Sequence, residues 1–113
     1  MIAKCLTRMK IQYIQEYSFP NCNGETRPLR FDFWLPASNV LIEYDGEQHF
    51  HPVRFGNMSV EAADQKFQQG QQYDSIKTEY AETLGINLIR ISYYDKGNIR
   101  ELLKHELSNP PTT

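Results

Sequence analysis

The chain has 113 residues, which is enough for one domain with a single hydrophobic core but too few for two such domains. Hydrophobic residues make up 40% of it, and seven Tyr, six Phe and one Trp exclude a disordered chain without a core. Twelve Lys and Arg against 14 Asp and Glu give a net charge of −2, which argues against nonspecific coating of nucleic acid. We therefore expect one folded domain over residues 1–113.

Four strands and three helices are predicted from the periodicity of the apolar residues, which indicates an α/β fold built on a mixed α+β sheet. In chain order, the predicted elements are a helix at 1–10, strands at 11–19, 29–35 and 40–44, a helix at about 59–84, a strand at 86–93 and a short helix from 98 to about 107. A loop at 20–24 is predicted from Pro20, Asn21, Asn23 and Gly24, and residues 108–113 are predicted to be a frayed tail.

The long helix has recognisable ends. Ser59 is a suitable N-cap, and Gly85 is suited to the left-handed position that closes a helix. Gly70 interrupts the pattern within a Gln-rich stretch, so that two helices and one kinked helix are both compatible with the sequence. The buried stripe of this helix is predicted to consist of Ala63, Phe67, Ile76, Tyr80 and Leu84.

The two cysteines, Cys5 and Cys22, do not form a CxxC pair. One disulfide between them and two reduced thiols are both compatible with the sequence, but without a secretory signal we expect reduced thiols and a cytoplasmic location. No apolar stretch approaches the ~20 residues that a membrane-spanning helix requires, so no membrane association is expected.

Acidic residues interrupt the apolar strands at 29–35 and 40–44. Asp32 lies between two Phe residues, and Glu43 and Asp45 share one face of the next strand because side chains alternate. If the two strands form a hairpin, the three carboxylates come together, and a cation is needed to offset their repulsion. An all-oxygen cluster suits Mg²⁺ or Mn²⁺ better than Zn²⁺. The alternative is a solvated edge strand with ordinary surface acids.

Four motifs together resemble the PD-(D/E)XK nuclease superfamily. They are FDFWLP at 31–36, IEYDGEQH at 42–49, an Asp-x-x-Lys motif at 74–77 and GINLIRI at 85–91. Within the superfamily the chain is most similar to the branch of the very short patch repair endonucleases and the phage homing endonucleases with an EDxHD site. The resemblance covers about residues 10–107. It implies a restriction-endonuclease-like core with the order α-β-β-β-α-β-α and Mg²⁺- or Mn²⁺-dependent hydrolysis of DNA phosphodiesters, in a host cytosol if the protein is phage-encoded.

The resemblance also assigns individual roles. Asp32 matches the first metal-binding Asp, and Glu43 matches the acid of the (D/E)XK strand. Asp45 stands where that motif has its Lys, an exchange that this branch tolerates. His49 matches a His just past the strand, and Asp74 matches an acid of the following helix. The resemblance thus adds His49 and Asp74 to the three carboxylates expected from the strands.

The chemistry of phosphodiester hydrolysis suits these residue types. A carboxylate-held metal ion neutralises phosphate and activates water, and an imidazole such as His49 can transfer a proton near neutral pH. The alternative for His49 is a loop histidine bonded to a backbone carbonyl. Asp74 and Lys77 are neighbours on a helix, so that Asp74 either joins the carboxylates while Lys77 contacts a phosphate, or the two form an exposed ion pair.

Several polar residues are candidates for contacts with DNA. Arg90 lies in an otherwise apolar strand, where it is either paired with an acid or extended towards DNA. The Gln-rich patch at 68–72 is either a DNA contact or a solvated face. The candidate DNA-binding residues are Gln48, His51, Arg54, Lys77 and Arg90.

The chain departs from the family pattern in its first helix. Related nucleases usually carry a Glu there, ahead of an apolar stripe, but here the stripe begins at Ile2, and the nearest acid, Glu16, lies in a predicted strand. Three alternatives follow: an active endonuclease, a nuclease-fold module with an impaired site that binds DNA or protein, and a catalytic fragment of a longer homing-type endonuclease. A homodimer and a separate DNA-recognition segment are both compatible with the small size and near-neutral charge.

Overall fold

The structure is a computed structural model that describes residues 1–24 and 27–108. Its helices are α1 (Ile2–Arg8), α2 (Val60–Leu84) and α3 (Ile99–Ser108), and its strands are β1 (Ile14–Asn23), β2 (Pro28–Leu35), β3 (Val40–Asp45) and β4 (Asn87–Ser92). Short 3₁₀ turns cover Pro36–Ser38, Glu47–His49 and Tyr93–Asn98. The predicted mixed α+β class is confirmed, whereas the predicted frayed tail lies, apart from Ser108, outside the described residues.

The four strands form one mixed sheet in the order β1-β2-β3-β4. The first three strands pair antiparallel, whereas β3 and β4 are parallel and are connected through α2. Parallel pairing places Arg90 beside Glu43 and Ser92 beside Asp45, so that both strands end at the same edge.

Both faces of the sheet are covered. The face that carries α1 and α3, here called the α1/α3 face, is an apolar layer formed by Ile2, Leu6, Phe33, Leu35, Val40, Ile42, Ile89, Ile91, Ile99 and Leu103. The opposite face, here called the α2 face, buries Cys22, Leu29, Phe31, Leu41 and Ala81, with further aromatic residues around them. Along β3 the side chains alternate between these two layers, which is the period of two that a strand imposes.

The alternation of faces breaks in β2 at Asp32. Phe31 packs on the α2 face, but Phe33, two residues later, packs on the α1/α3 face. Residues two apart on a regular strand share a face, so the strand turns over between them. In β1 the residue between the partners of Phe31 and Phe33 is Glu16, whose φ of 51° lies in the left-handed region. The backbone is therefore irregular beside the predicted site.

The structure decides between the alternatives for the long helix. α2 is a single helix of 25 residues that runs through Gly70. Ser59 accepts a hydrogen bond from the Ala62 backbone N–H at 3.1 Å, and Gly85 has a φ of 69°. Both predicted ends are confirmed. The predicted buried stripe is wrong at its last position, because Leu84 is 52% exposed beside the end of the helix.

Two further expectations are settled by the strands. The predicted loop at 20–24 is wrong, because β1 continues to Asn23, which pairs with Pro28. Pro20 is tolerated there because β1 is an edge strand, where a missing N–H costs little. Cys5 and Cys22 are both free thiols, and they pack on opposite faces of the sheet. Among the described helices, none combines the length and the apolar character needed to cross a membrane.

Candidate metal centre

The candidate site lies beyond the C-terminal ends of the parallel strands β3 and β4, and we call this end of the sheet its edge at the site. Ligands commonly bind beyond the carboxyl ends of parallel strands. Asp45 is the last residue of β3, and the 3₁₀ turn Glu47–His49 follows it after one glycine. The helix α2 passes over the same edge and contributes Asp74. Three separate elements thus supply acidic or imidazole side chains to one place.

Asp45, His49 and Asp74 form a compact group. One potential ligand atom from each lies within 4.8 Å of the others. The His49 Nδ1 atom is 3.5 Å from Asp45 Oδ1 and 3.9 Å from Asp74 Oδ1. The short turn after β3 explains the first distance, because it brings His49 back over the residue four positions earlier. His49, which the resemblance matched to a His just past the strand, therefore lies beside Asp45 and Asp74.

Arg90 points into this group. Its Nη1 atom is 2.5 Å from Asp74 Oδ1 and 3.3 Å from Asp45 Oδ1, and its Nη2 atom donates to Thr78 Oγ1 at 2.7 Å. Of the two alternatives for Arg90, the structure favours the pairing with an acid over an extension towards DNA. Asp74 and Lys77 do not pair with each other, and both point towards the sheet.

A second charged group lies beside the first, where β2 and β3 separate. The backbone pairing of the two strands ends at Phe33 and Ile42. Beyond this pair, carboxylate side chains accept the hydrogen bonds of backbone N–H groups. Glu43 Oε2 accepts a hydrogen bond from the Asp32 backbone N–H at 3.1 Å, and Asp32 Oδ2 accepts one from the Tyr44 N–H at 2.7 Å. The other oxygen of Glu43, Oε1, accepts a hydrogen bond from Lys77 Nζ.

Burial makes the negative charges of two carboxylates costly. Desolvation raises the pKa of Glu43 to about 7, although Lys77 opposes this shift; the neighbouring Asp32 adds to it. Burial also raises the pKa of Asp45, with His49 and Arg90 acting in the opposite direction. Perturbed carboxyl groups of this kind are frequent at functional sites.

The predicted metal-binding set differs from the group that the structure brings together. Of Asp32, Glu43 and Asp45, only Asp45 belongs to the cluster of potential ligands among the described residues. Where β2 separates from β3, the carboxylates of Asp32 and Glu43 accept hydrogen bonds from backbone N–H groups, and Glu43 also accepts one from Lys77. The structure thus groups Asp45 with His49 and Asp74, which were predicted as catalytic residues, and the metal-binding role of Asp32 and Glu43 stays a prediction.

The residues at the edge fit a divalent metal ion. Asp74 Oδ1 is buried and accepts no hydrogen bond within the described part of the chain, although it is paired by charge with Arg90. Within the described residues, Lys77 and Arg90 are the lysine and arginine side chains that pair with the carboxylates of the two groups. Two carboxylates and one imidazole form a mixed donor set, which suits Mn²⁺ and later transition metals better than Mg²⁺.

The other predicted DNA contacts lie outside this group. The Gln48 side chain folds back over Gly46. His51 pairs with Glu47 at 3.2 Å at the surface, and Arg54 Nε donates to the Met58 carbonyl at 2.9 Å, which closes a local loop.

Thr78 is a site residue that the sequence reasoning missed. It holds Arg90, and its position four residues after Asp74 on α2 was the signal that could have found it.

No protein-family model, no curated protein and no solved structure matches this chain. The chemistry of the site is therefore inferred from its geometry.

Proposed function

We propose that this chain is a divalent-metal-dependent endonuclease that hydrolyses phosphodiester bonds in DNA, with a restriction-endonuclease-like core. The observation that carries the proposal is the convergence of Asp45, His49 and Asp74 from three elements, with one potential ligand atom of each within 4.8 Å of the others. The separate group of Glu43 and Lys77 supports it, because phosphoryl transfer also needs a cation near the phosphate.

In this proposal the carboxylates of Asp45 and Asp74, with His49 as third donor, would hold Mn²⁺ or Mg²⁺. A bound divalent ion supplies charge neutralisation at the phosphate and lowers the pKa of a coordinated water. Arg90 keeps the two carboxylates at a fixed separation, because its guanidinium contacts both of them.

The cation that the (D/E)XK motif normally provides from the strand comes here from the helix. Asp45 stands at the motif's Lys position and supplies no cation. Lys77, on α2, donates instead to Glu43, which lies two residues before Asp45 on the same face of β3. Lys77 is therefore suited to contact the phosphate of a substrate. If the two carboxylates alone hold the ion, His49 is instead suited to proton transfer, because its side chain is about one-third exposed and its Nδ1 atom lies 3.5 Å from Asp45 Oδ1.

A plasmid-cleavage assay tests the proposal. Supercoiled plasmid incubated with Mn²⁺ or Mg²⁺ should be nicked, and Asp45→Asn and Asp74→Asn should each lower the rate by at least about 100-fold, which corresponds to about 3 kcal/mol. The matched control is Asp64→Asn, because Asp64 is an exposed acid on the same helix. Equal rates for Asp74→Asn and Asp64→Asn would contradict the assignment.

A second candidate function is a nuclease-fold module that binds DNA without cutting it. The observation that favours it is that α1, Ile2–Arg8, contains no acidic residue. A retarded band on a gel without nicking at any metal concentration would support this second candidate. A catalytic fragment of a longer endonuclease would instead nick DNA weakly, with a homodimer or a separate DNA-recognition segment supplying specificity.

A further inference from the structure

Arg90 is a cation in the middle of the parallel edge strand β4. Its neighbours Ile89 and Ile91 are buried in the apolar layer of the α1/α3 face. Because side chains alternate along a strand, the Arg90 side chain is directed to the α2 face. The parallel register places it beside Glu43, on the face that also carries Asp45. The strand therefore holds the guanidinium at the candidate metal centre.

The guanidinium contacts the same oxygen atoms that approach the imidazole of the cluster. The Arg90 Nη1 atom lies 2.5 Å from Asp74 Oδ1 and 3.3 Å from Asp45 Oδ1. The His49 Nδ1 atom lies 3.9 Å and 3.5 Å from these two oxygens. A divalent ion such as Mg²⁺ lies about 2.1 Å from each carboxylate oxygen that binds it. An ion held by these oxygens and the Nη1 atom would therefore be only a few ångströms apart.

Two cations at this separation repel each other strongly. The arginine side chain keeps its positive charge at every pH at which proteins fold, so the repulsion is not relieved by loss of a proton. Solvent screens it poorly, because the Arg90 side chain is only 26% exposed and the Asp45 side chain only 12% exposed. A divalent ion therefore binds well only if the Nη1 atom moves away from the two carboxylates.

The Arg90 side chain has a second set of contacts, which does not involve the carboxylates. Its Nη2 atom donates to Thr78 Oγ1 at 2.7 Å and to the Asp74 carbonyl oxygen at 3.4 Å. The Thr78 hydroxyl donates in turn to the same Asp74 carbonyl at 2.9 Å, which fixes its orientation on α2. The Nη2 atom can thus stay on the helix backbone while the Nη1 atom turns towards solvent.

We propose that Arg90 competes with the divalent ion for the oxygens of Asp45 and Asp74, so that metal binding displaces the Nη1 atom from both carboxylates. Arg90 is then a positioning residue that sets the metal affinity of the site. It holds the carboxylates together before the ion binds, and the same contacts make the ion bind more weakly. This inference rests on the metal centre of the proposed function, but not on the hydrolysis of DNA.

A purely structural role for Arg90 predicts the opposite effect on metal binding. If Arg90 only kept the two carboxylates in place, its removal would let them separate under their mutual repulsion, and the ion would bind more weakly. If Arg90 competes with the ion, its removal frees both oxygens, and the ion binds more tightly. The direction of the change in affinity therefore distinguishes the two roles.

The test is Mn²⁺ binding to the full chain in the absence of DNA, measured from the electron paramagnetic resonance signal of the free ion. Arg90→Met removes the charge but keeps a long side chain, and it should bind Mn²⁺ about 10-fold more tightly than the wild type. The matched control is Arg100→Met, because Arg100 is exposed on α3. The control should change the Mn²⁺ affinity by less than about 2-fold, since solvent and salt screen its charge.

A milder variant tests the same competition without removing the charge. Thr78→Val keeps the shape of the side chain but deletes the oxygen that accepts from Arg90 Nη2. The guanidinium is then held less firmly at the carboxylates, so Mn²⁺ should bind about 2-fold to 3-fold more tightly. The matched control is Thr83→Val, because the Thr83 hydroxyl donates to the Glu79 carbonyl at 2.9 Å on the same helix. Circular dichroism melting in EDTA checks the folding of each variant.

The Arg90 pair of variants decides the result if Arg90→Met folds, and the Thr78 pair decides it otherwise. Mn²⁺ binding that is equal to or weaker than that of the matched control would overturn the competition, as would a wild type and an Arg90→Met variant that both bind no Mn²⁺. A wild type that nicks plasmid, with weaker Mn²⁺ binding in Arg90→Met, would keep the nuclease and remove the competition. Conversely, tighter binding in Arg90→Met, together with a wild type that never nicks, would keep the competition and remove the nuclease.

Discussion

The two faces of the sheet receive very different residues from the same strand. β3 sends Val40, Ile42 and Tyr44 to the α1/α3 face, where they join an apolar layer. To the α2 face it sends Leu41 and then two acids, Glu43 and Asp45, which are both buried. One face therefore stabilises the fold through apolar burial, whereas the other gives up part of that burial for charge. The comparison indicates that the sheet separates an apolar layer from the buried acids.

The charged face needs compensation that the apolar face does not. A buried charge costs several kcal/mol unless partners replace its hydration. Lys77 provides this for Glu43, and Arg90 provides it for Asp45 and Asp74. The raised pKa of Glu43 and of Asp45 indicates that the compensation is incomplete. A divalent cation would supply the remainder, which is why the α2 face is the one suited to bind it.

The largest effect on stability is expected from a substitution in the apolar layer of the α1/α3 face. Ile42 is fully buried, so Ile42→Ala should lower the free energy of unfolding by about 3–5 kcal/mol, and Ile42→Val by about 1 kcal/mol. Urea denaturation measures both. Because Ile42 faces away from the candidate metal centre, Mn²⁺ should raise the melting temperatures of Ile42→Val and of the wild type by the same amount, whereas Asp45→Asn should abolish this rise. A metal response lost in Ile42→Val would contradict the separation of the faces.

A somewhat smaller effect is expected from removing the cation of the charged face. Lys77→Met leaves Glu43 buried without its partner, which should cost about 3 kcal/mol at pH 8, where Glu43 is ionised. At pH 5 the cost should be small, because the carboxyl is then protonated. Adding Glu43→Gln should restore most of the stability at pH 8. The matched control is Lys66→Met, which removes an exposed lysine from the same helix; an equal loss in the control would refute this role for Lys77.

The smallest effect is a pH dependence of stability. Glu43 has a pKa of about 7 in the folded protein and an ordinary value of 4.5, so that between these pH values the folded state binds more protons than the unfolded state. Stability from this group is complete below about pH 4.5 and is lost as the pH rises through 7. In thermal melts, the free energy of unfolding of Glu43→Gln should fall by about 1–2 kcal/mol less than that of the wild type between about pH 4.5 and 7. A variant whose melting profile falls as steeply as that of the wild type would show that other groups carry the dependence.

Local signals predicted much of the fold, because they act within a few residues. Ser59 and Gly85 mark the ends of α2 by their own hydrogen bonding and backbone preferences. The shared face of Glu43 and Asp45 follows from strand alternation alone. The same local reasoning misplaced the end of β1, because pairing with β2, and not the content of Pro and Asn, decides where that strand stops.

The chain alone determined which acids enter the sheet and that a hairpin carries them, since apolar periodicity and turn residues are properties of short segments. It could not determine which of those acids act together. That depended on the separation of β2 from β3, on the parallel register that brings Arg90 beside Glu43, and on the path of α2 that delivers Asp74 and Lys77. These are contacts between residues far apart in the chain, and only the packing of the folded protein decides them.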